Sequence, residues 1–268
     1  MAGEGEKTAE AFPSGNPFSL TGKVAVVTGG NGGIGLGMAR GMGRAGAAVA
    51  IAGRDVAKSA AAVAELESDG IKAVAVAVDV ADPASCAAMV AEVESALGRL
   101  DIVVCNAGIN IRKRPEAYTP EEWRQIQAIN LDGTFYTAQA AHPALQRQGG
   151  GKIITIGSMM SIFGLALVAG YGASKGGVVQ LTKSLAIAWA KDNIQVNAIL
   201  PGWIDTDLTR RARQDIEGLH DKVEARTPAG RWGTPDDLAG LGVFLASPAS
   251  DFLTGTAIPV DGGYSVQG

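Results

Sequence analysis

Cysteine and histidine are nearly missing from this 268-residue chain: two of each, Cys86, Cys105, His142 and His220. Two thiols in a chain of this length make no disulfide framework, which fits a reducing cytoplasmic setting. Neither histidine has a second candidate ligand near it in sequence, so the spacing that metal sites need is not there and no metal is expected. Charge of one sign is not in excess either. Lys and Arg number 23 against 27 Asp and Glu, a formal net charge of −4, with no sequence-wide attraction for nucleic acid or anionic membranes. No uninterrupted apolar run approaches the roughly 18 to 20 residues of a bilayer span. The first seventeen residues, MAGEGEKTAEAFPSGNP, lack the basic start and apolar stretch of a secretory signal. They read as a disordered tail over 1–17 ahead of one soluble domain over 18–268.

What the chain does hold is aliphatic side chains and glycine. From Lys23 short β-branched runs alternate with longer Ala-rich segments, and strands are expected near 23–28, 48–52, 72–78, 101–105, 152–157, 194–199 and 256–260. Near-continuous apolar runs such as VAVAVDV and KIITIG mark strands buried on both faces, the pattern of a parallel sheet. The expected fold is a single-domain, doubly wound (Rossmann) α/β fold, a seven-stranded parallel sheet with helices on both faces, which binds ligands beyond the carboxyl ends of its strands. A long stretch from Pro201 to Pro235 lacks strand character and is expected to be an irregular substrate loop near 203–231. Its Arg210, Arg211 and Arg213 are either a solvated helical face or part of a binding surface.

The strand ends carry the chemistry. KVAVVTGGNGGIGLGMARGM (23–42) runs from a strand through a glycine-rich turn into a helix. Gly29, Gly33 and Gly35 there let main-chain N–H groups and a helix N-terminus approach a dinucleotide's diphosphate. The second strand, AVAIAGRD, ends at Gly53 and Arg54. A carboxylate there would bind a free ribose 2′-OH, whereas an arginine pairs with a 2′-phosphate, so NADP is expected over NAD; the neighbouring Asp55 is positioned to compete for that arginine. Asp79, ending VAVAVD, either accepts from the adenine amino group or shapes the helix start before Asp82-Pro83. Asn106, Ala107 and Gly108 after DIVVC put small residues where a cofactor passes close to backbone. In SMMSIFGLALVAGYGASK (158–175), Tyr171 and Lys175 stand four apart, on one face of any helix that begins near Tyr171.

Together TGGNGGIG (28–35), CNAG (105–108), INLDG (129–133), Ser158 thirteen residues before Tyr171, YGASK (171–175) and PGW (201–203) resemble the short-chain dehydrogenase/reductase family, over about residues 18 to 266. The resemblance implies catalytic roles for Asn130, Ser158, Tyr171 and Lys175. It also implies cofactor contacts at Asn31, Ile34, Val80, Pro201, Gly202, Ile204 and Thr206 besides those already named, with Tyr171 and Lys175 among them, and a homotetramer. In that family the tyrosine exchanges the proton with the substrate oxygen and the serine holds that oxygen. The lysine bonds the nicotinamide ribose, and the asparagine orders a water that relays protons; Asn130 also reads as a helix-kink residue. A phenol titrates near pH 10, and a neighbouring ammonium typically lowers it by about one to three units, a role expected of Lys175. Ser161 competes with Ser158 for the serine's place, and spacing decides against it. Cys105 departs from the asparagine often found before Asn106.

The substrate is less constrained. NIRKRPEAY (110–118) brings Arg112, Lys113 and Arg114 to the expected mouth of the site, where with the arginines at 210–213 they suit a carboxylate. IRKRPE, AGRWGTPDDL and ASDFLTGTAIPVDGGY resemble the family's gluconate 5-dehydrogenase and 2-deoxy-gluconate 3-dehydrogenase branch, which implies a sugar acid. Met159, Met160, Phe163, Leu165 and Leu167 suit a small apolar ketone instead, or are core. Two rivals share the motifs: a 3-oxoacyl reductase acting on an acyl carrier protein, and a dinucleotide-binding regulator without turnover.

Overall fold

Seven short runs rich in Val, Ile and Ala become the strands β1 (Val24–Thr28), β2 (Ala48–Gly53), β3 (Ala73–Ala77), β4 (Ile102–Cys105), β5 (Gly151–Ile156), β6 (Ile194–Pro201) and β7 (Ala257–Val260). The computed structural model describes residues 15–267. All strand pairs are parallel, in the order β3-β2-β1-β4-β5-β6-β7, the doubly wound sheet expected from the apolar runs. Of the expected tail, residues 1–14 lie outside the described residues; at its end the Pro17 carbonyl accepts from Ala249 N at 3.2 Å.

Alternate strand residues face opposite layers. Val26, Ala50, Val103, Ile153 and Val196 pack against α3 (Pro83–Leu97), α5 (Gly133–Arg147) and α6 (Ala169–Trp189). Val27, Ile51, Val104, Ile154 and Ile199 pack against α1 (Gly33–Arg44), α2 (Val56–Ser68) and α9 (Ala239–Ala246). With both faces covered, the strands are mostly apolar, and the polar residues within them, such as Thr155 and Asn197, are buried and hydrogen-bonded. Local signals set the helix starts. Asp55 caps α2 by accepting from Lys58 N, and Asp82 caps α3 with Pro83 at its first position. A reciprocal Thr119 and Glu122 capping box opens α4 (Pro120–Gln127). Between α4 and α5 lies one π-helical turn, Ala128–Asp132.

Strand order reverses between β1 and β4, which lie side by side and lead to opposite edges of the sheet. The crevice beyond their carboxyl ends is the place where such sheets hold ligands. The stretch expected to be irregular between Pro201 and Pro235 is instead about half helical. It contains α7 (Asp207–Asp215) and α8 (Leu219–Arg226), packed on a separate small core of Ala212, Leu219, Val223 and Trp232. Its scattered Gly and Pro punctuate the two helices, and the mixed charge that obscured them lies on their solvent faces.

Candidate active site

At the crevice the chain leaves β1 through Gly29, whose φ of +62° is a conformation that side-chain-bearing residues avoid. Asn106, one residue past β4, donates from Nδ2 to Thr28 O and Gly29 O, both at 3.0 Å, and ties the two strand ends together. Behind this tie, a Cβ on Gly35 would lie 2.5 Å from both Asn106 Nδ2 and Gly29 O. Gly35 is buried and, unlike Gly29 and Gly33, is not among the residues lining the two clefts; at this third glycine of the turn the close approach is to Asn106 and Gly29.

Two connected clefts open at these strand ends. One, of about 330 Å³, runs from Gly29, Asn31, Gly33 and Ile34 past Asn106, Ala107 and Gly108 to Ser158, Tyr171, Lys175, Pro201, Gly202, Ile204 and Thr206. The other, of about 280 Å³, shares Gly29, Asn31, Ala107 and Gly108 and continues to Gly53, Arg54, Asp79 and Val80. A dinucleotide fits this pair. The small residues leave the floor open, α1 points its N-terminal N–H groups into it, and the far end offers an arginine. Arg54 makes no ion pair among the described residues, because the competitor Asp55 accepts from Lys58 N at 2.9 Å as the cap of α2. Asp79 Oδ1 accepts from Ala81 N at 3.1 Å, so it shapes the turn before α3 while its residue borders the cleft. Asn31 Nδ2 donates to Ser59 Oγ at 3.1 Å and holds the turn against α2.

The four residues expected to be catalytic meet at the inner end. Helix α6 begins at Ala169, so Tyr171 and Lys175 lie one turn apart on its inward face, with Lys175 Nζ 5.7 Å from the Tyr171 ring centre. Lys175 is buried, and its Nζ donates to Ile156 O at 2.7 Å. Burial pulls its ammonium down from 10.5 to about 8. Burial likewise pushes the Tyr171 phenol above its ordinary value, against the opposing pull of the Ser158 hydroxyl and the positive Arg112. The net shift at Tyr171 is therefore a rise, set first by burial and opposed by Ser158 and Arg112, where a fall was expected, while the Lys175 ammonium lies over the ring and bonds the Ile156 carbonyl.

Ser158 and Ser161 part ways clearly. Ser161 Oγ donates to Lys175 O at 2.8 Å and accepts from Ser158 N at 3.1 Å, bracing the short 159–161 turn against α6. Ser158 accepts from Met160 N at 3.1 Å and lines the cleft beside Tyr171. Asn130, fully buried within the π turn, donates to Ile109 O and Ser174 Oγ at 3.0 Å and accepts from Ile109 N at 2.8 Å. A Cβ on Gly108 would lie 3.3 Å from Asn130 Oδ1 and 3.5 Å from Lys175 Nζ, so kink and site coincide at this asparagine.

Outside Ser158 and Tyr171 a smaller pocket is walled by Met159, Met160, Leu165, Val168, Trp203 and Ile216, with Asn110 and Arg112 as its other polar groups besides Thr209. Only one of the basic residues at the mouth reaches it. Lys113 pairs with Glu122 and Arg114 with Glu116. Arg210 and Arg213 are both held by Asp205, and Arg213 also lies over the Trp232 ring at 4.5 Å. Arg112, 13% exposed, donates to Leu208 O at 2.9 Å and lies 3.4 Å from Asp215. Phe163 turns away to Tyr264 and Arg226. Lys58 escaped the sequence reading. It lines both clefts, its Nζ lies 3.7 Å from Asp207, and a Cβ on Gly32 would lie 3.3 Å from that Nζ. Nothing in the α2 sequence marks it; only the fold brings that helix start to the glycine turn.

Comparison with known proteins agrees with this geometry. Residues 29–265 match a family model described as enoyl-(acyl carrier protein) reductase. A 2-dehydro-3-deoxy-D-gluconate 5-dehydrogenase of Formosa agariphila is 40% identical over 247 residues, covering 92% of this chain and 94% of its own. A 5-keto-D-gluconate 5-reductase of Escherichia coli K12 is 39% identical over 249 residues, covering 93% and 98%. Among solved structures, a gluconate 5-dehydrogenase from Burkholderia cenocepacia in complex with NADP and tartrate superposes with a TM-score of 0.89 at 42% identity, over 93% of this chain and 98% of that one. Among the described residues no helix is long and apolar enough to cross a membrane, and no cluster of three metal-ligating side chains occurs.

Proposed function

We propose that this chain, which belongs to the short-chain dehydrogenase/reductase family, interconverts a ketone and a secondary alcohol on a sugar acid with NADP(H) as its redox partner. The observation that carries the reading is the company Arg112 keeps: a largely buried guanidinium in the same small pocket as Ser158 and Tyr171. A carboxylate bound there pairs with a cation that water screens poorly. Relatives named for gluconate and keto-gluconate chemistry, and one of them holding NADP and tartrate, support the same substrate class and cofactor. Arg54, free of Asp55 at the end of β2, supports the 2′-phosphate.

The cofactor, when bound, supplies or accepts the hydride. The chain's own residues handle the oxygen and the proton. The Ser158 hydroxyl and the Tyr171 phenol face the place where a substrate oxygen sits, and as negative charge grows there the phenol gives up its proton. The buried phenol stays protonated at neutral pH, so it enters reduction as an acid. Arg112 then stabilises the phenolate left behind, and Lys175, below its pKa of about 8, adds a second positive charge within the same shell. Asn130 fixes Ile109 and Ser174, and with them the wall that Gly108 and Lys175 share.

A cytoplasmic homotetramer completes the reading: two free thiols suit a reducing compartment, and an assembly would have apolar side chains such as Trp123 on α4 and Ile187 on α6 to cover; light scattering tests the assembly. The function is tested with purified protein and a panel of 5-keto-D-gluconate, small neutral ketones and a 3-oxoacyl thioester, each with NADPH and with NADH, and with 2-dehydro-3-deoxy-D-gluconate in the oxidative direction with NADP+ and with NAD+. The sugar acids with the NADP couple are expected to give the highest kcat/KM. A thioester or neutral ketone turned over more efficiently than either sugar acid would overturn the assignment, and no turnover of any substrate would favour the regulator.

A further inference from the structure

The loop from Ile109 to Lys113 rims the substrate pocket and is pinned at four of its five residues. Ile109 exchanges two hydrogen bonds with the Asn130 amide. The Ile111 carbonyl accepts from the Tyr118 hydroxyl. Arg112 donates to Leu208 O, and Lys113 N donates to Leu167 O at 3.0 Å. The side chain of Asn110, in the middle, makes none of these bonds. Its Oδ1 is buried without a hydrogen-bond partner among the described residues, one of two such side-chain atoms, the other being Trp232 Nε1.

A buried amide oxygen without a donor destabilises the fold, and a leucine in the same place would avoid that penalty. Asn110 instead stands in a pocket wall of Met159, Leu165 and Val168, next to Ser158 and Tyr171. Nothing about the loop requires an amide there, since its neighbours already carry the anchoring. A local rule broken without structural compensation marks a residue kept for a ligand, and the ligand must bring the missing donor. The terminal torsion of asparagine is soft, so its amide turns readily onto a group entering the pocket. We infer that Asn110 is a specificity residue that binds a hydroxyl group of the substrate beside the reacting carbonyl, and so selects hydroxylated keto acids over plain ones. The inference rests on the sugar-acid reading above.

The test compares 5-keto-D-gluconate with 5-oxohexanoate, which has the same carbon chain, ketone and carboxylate but no hydroxyls, in the wild type and in Asn110→Leu and Asn110→Asp. Because both acids carry the carboxylate, any effect of the aspartate charge on it cancels in the ratio of their kcat/KM values. That ratio is expected to fall about 10- to 100-fold in Asn110→Leu and to be largely kept in Asn110→Asp, which retains an acceptor. NADPH titration by fluorescence shows whether each variant is folded. An unchanged ratio in both folded variants overturns the inference alone, as does a ratio lost equally in both. Should the leucine variant fail to fold, Asn110→Ala, which also removes the acceptor but adds no bulk, decides in its place, with the same fall in the ratio expected and an unchanged ratio overturning the inference. A wild type that reduces 5-oxohexanoate but not 5-keto-D-gluconate removes the sugar-acid reading and this inference with it.

Discussion

At the glycine turn of the cofactor side the cleft is framed by main chain: the turn at Gly29, the helix start at Gly33, and the strand ends stapled through Asn106 to Thr28 O and Gly29 O. On the substrate side it is framed by side chains. There Asp205 holds Arg210 and Arg213, Trp203 meets Trp232 at 5.5 Å, and Arg112 reaches across to Leu208 O. Main chain cannot be changed by substitution without moving the strands, whereas exposed ion pairs contribute little each and exchange partners readily. The first construction suits a ligand that never varies, the second a substrate that differs among relatives.

Tyr171 stands where the two constructions meet, and its removal is the largest expected effect. Tyr171→Phe should lower kcat by about 10² to 10⁴ in steady-state assays while a fluorescence titration still shows NADPH bound within a few-fold of wild-type affinity. On the main-chain side, Gly35→Ala pushes a methyl group to 2.5 Å from Asn106 Nδ2 and Gly29 O. It should cost about 1–3 kcal/mol of stability, read as a lower urea midpoint, with NADPH affinity falling in parallel because the strand ends move together. Arg54→Asp touches only one side chain at the far end, so NADPH binding should weaken about 10-fold while NADH binding strengthens or holds. Equal losses for both cofactors would show that this arginine does not read the 2′-phosphate.

The pH dependence of stability probes the inner end. Lys175 has its folded pKa lowered to about 8, below the ordinary 10.5, so between those values the unfolded chain binds a proton that the folded one does not. Stability then rises with pH across that window, while below about 8 the full penalty of burying the ammonium is present. The cofactor-free wild type should therefore gain stability relative to Lys175→Met as pH rises from about 8 to about 10.5, as measured by thermal denaturation in matched buffers. Smallest of all, Asp205→Asn weakens the hold on the exposed Arg210 and the half-buried Arg213 at α7. It should shift the melting point by less than about 1 kcal/mol would, and any change in kinetics should fall on KM for the acid and not on NADPH affinity.

The same division explains what could be read in the sequence. Strand burial writes itself as unbroken runs such as KIITIG, and a turn that must pass close to a ligand writes itself as glycine, so the sheet and the cofactor side were legible. Tyr171 and Lys175 were legible because a helix keeps residues four apart on one face. The lobe was not. The α7 segment, DLTRRARQD, is polar at nearly every position and buries one residue, Ala212, so no apolar stripe marks it as a core-facing helix. Charge was equally mute: Arg112, Lys113 and Arg114 look alike in the chain, and only folding shows that Lys113 and Arg114 turn to Glu122 and Glu116 while Arg112 lines the pocket, with Asp215 at its edge. The direction of the Tyr171 shift was misread because spacing places an ammonium nearby but cannot say how deeply the fold buries the phenol, and burial raises it.

The π turn at Ala128–Asp132 sets the rotational phase of everything that precedes it. Each residue of a helix turns the chain by about 100°, and a π turn is one residue wider than an α turn. Deleting a single residue here would let α4 and α5 merge into one regular helix, and Asn130, or whatever took its number, would swing away from Ile109 and Ser174. Point substitutions along this stretch alter one contact at a time, but a one-residue deletion would misalign the wall of the site in a single step. Sequence drift through this segment is therefore expected to change letters and to preserve length.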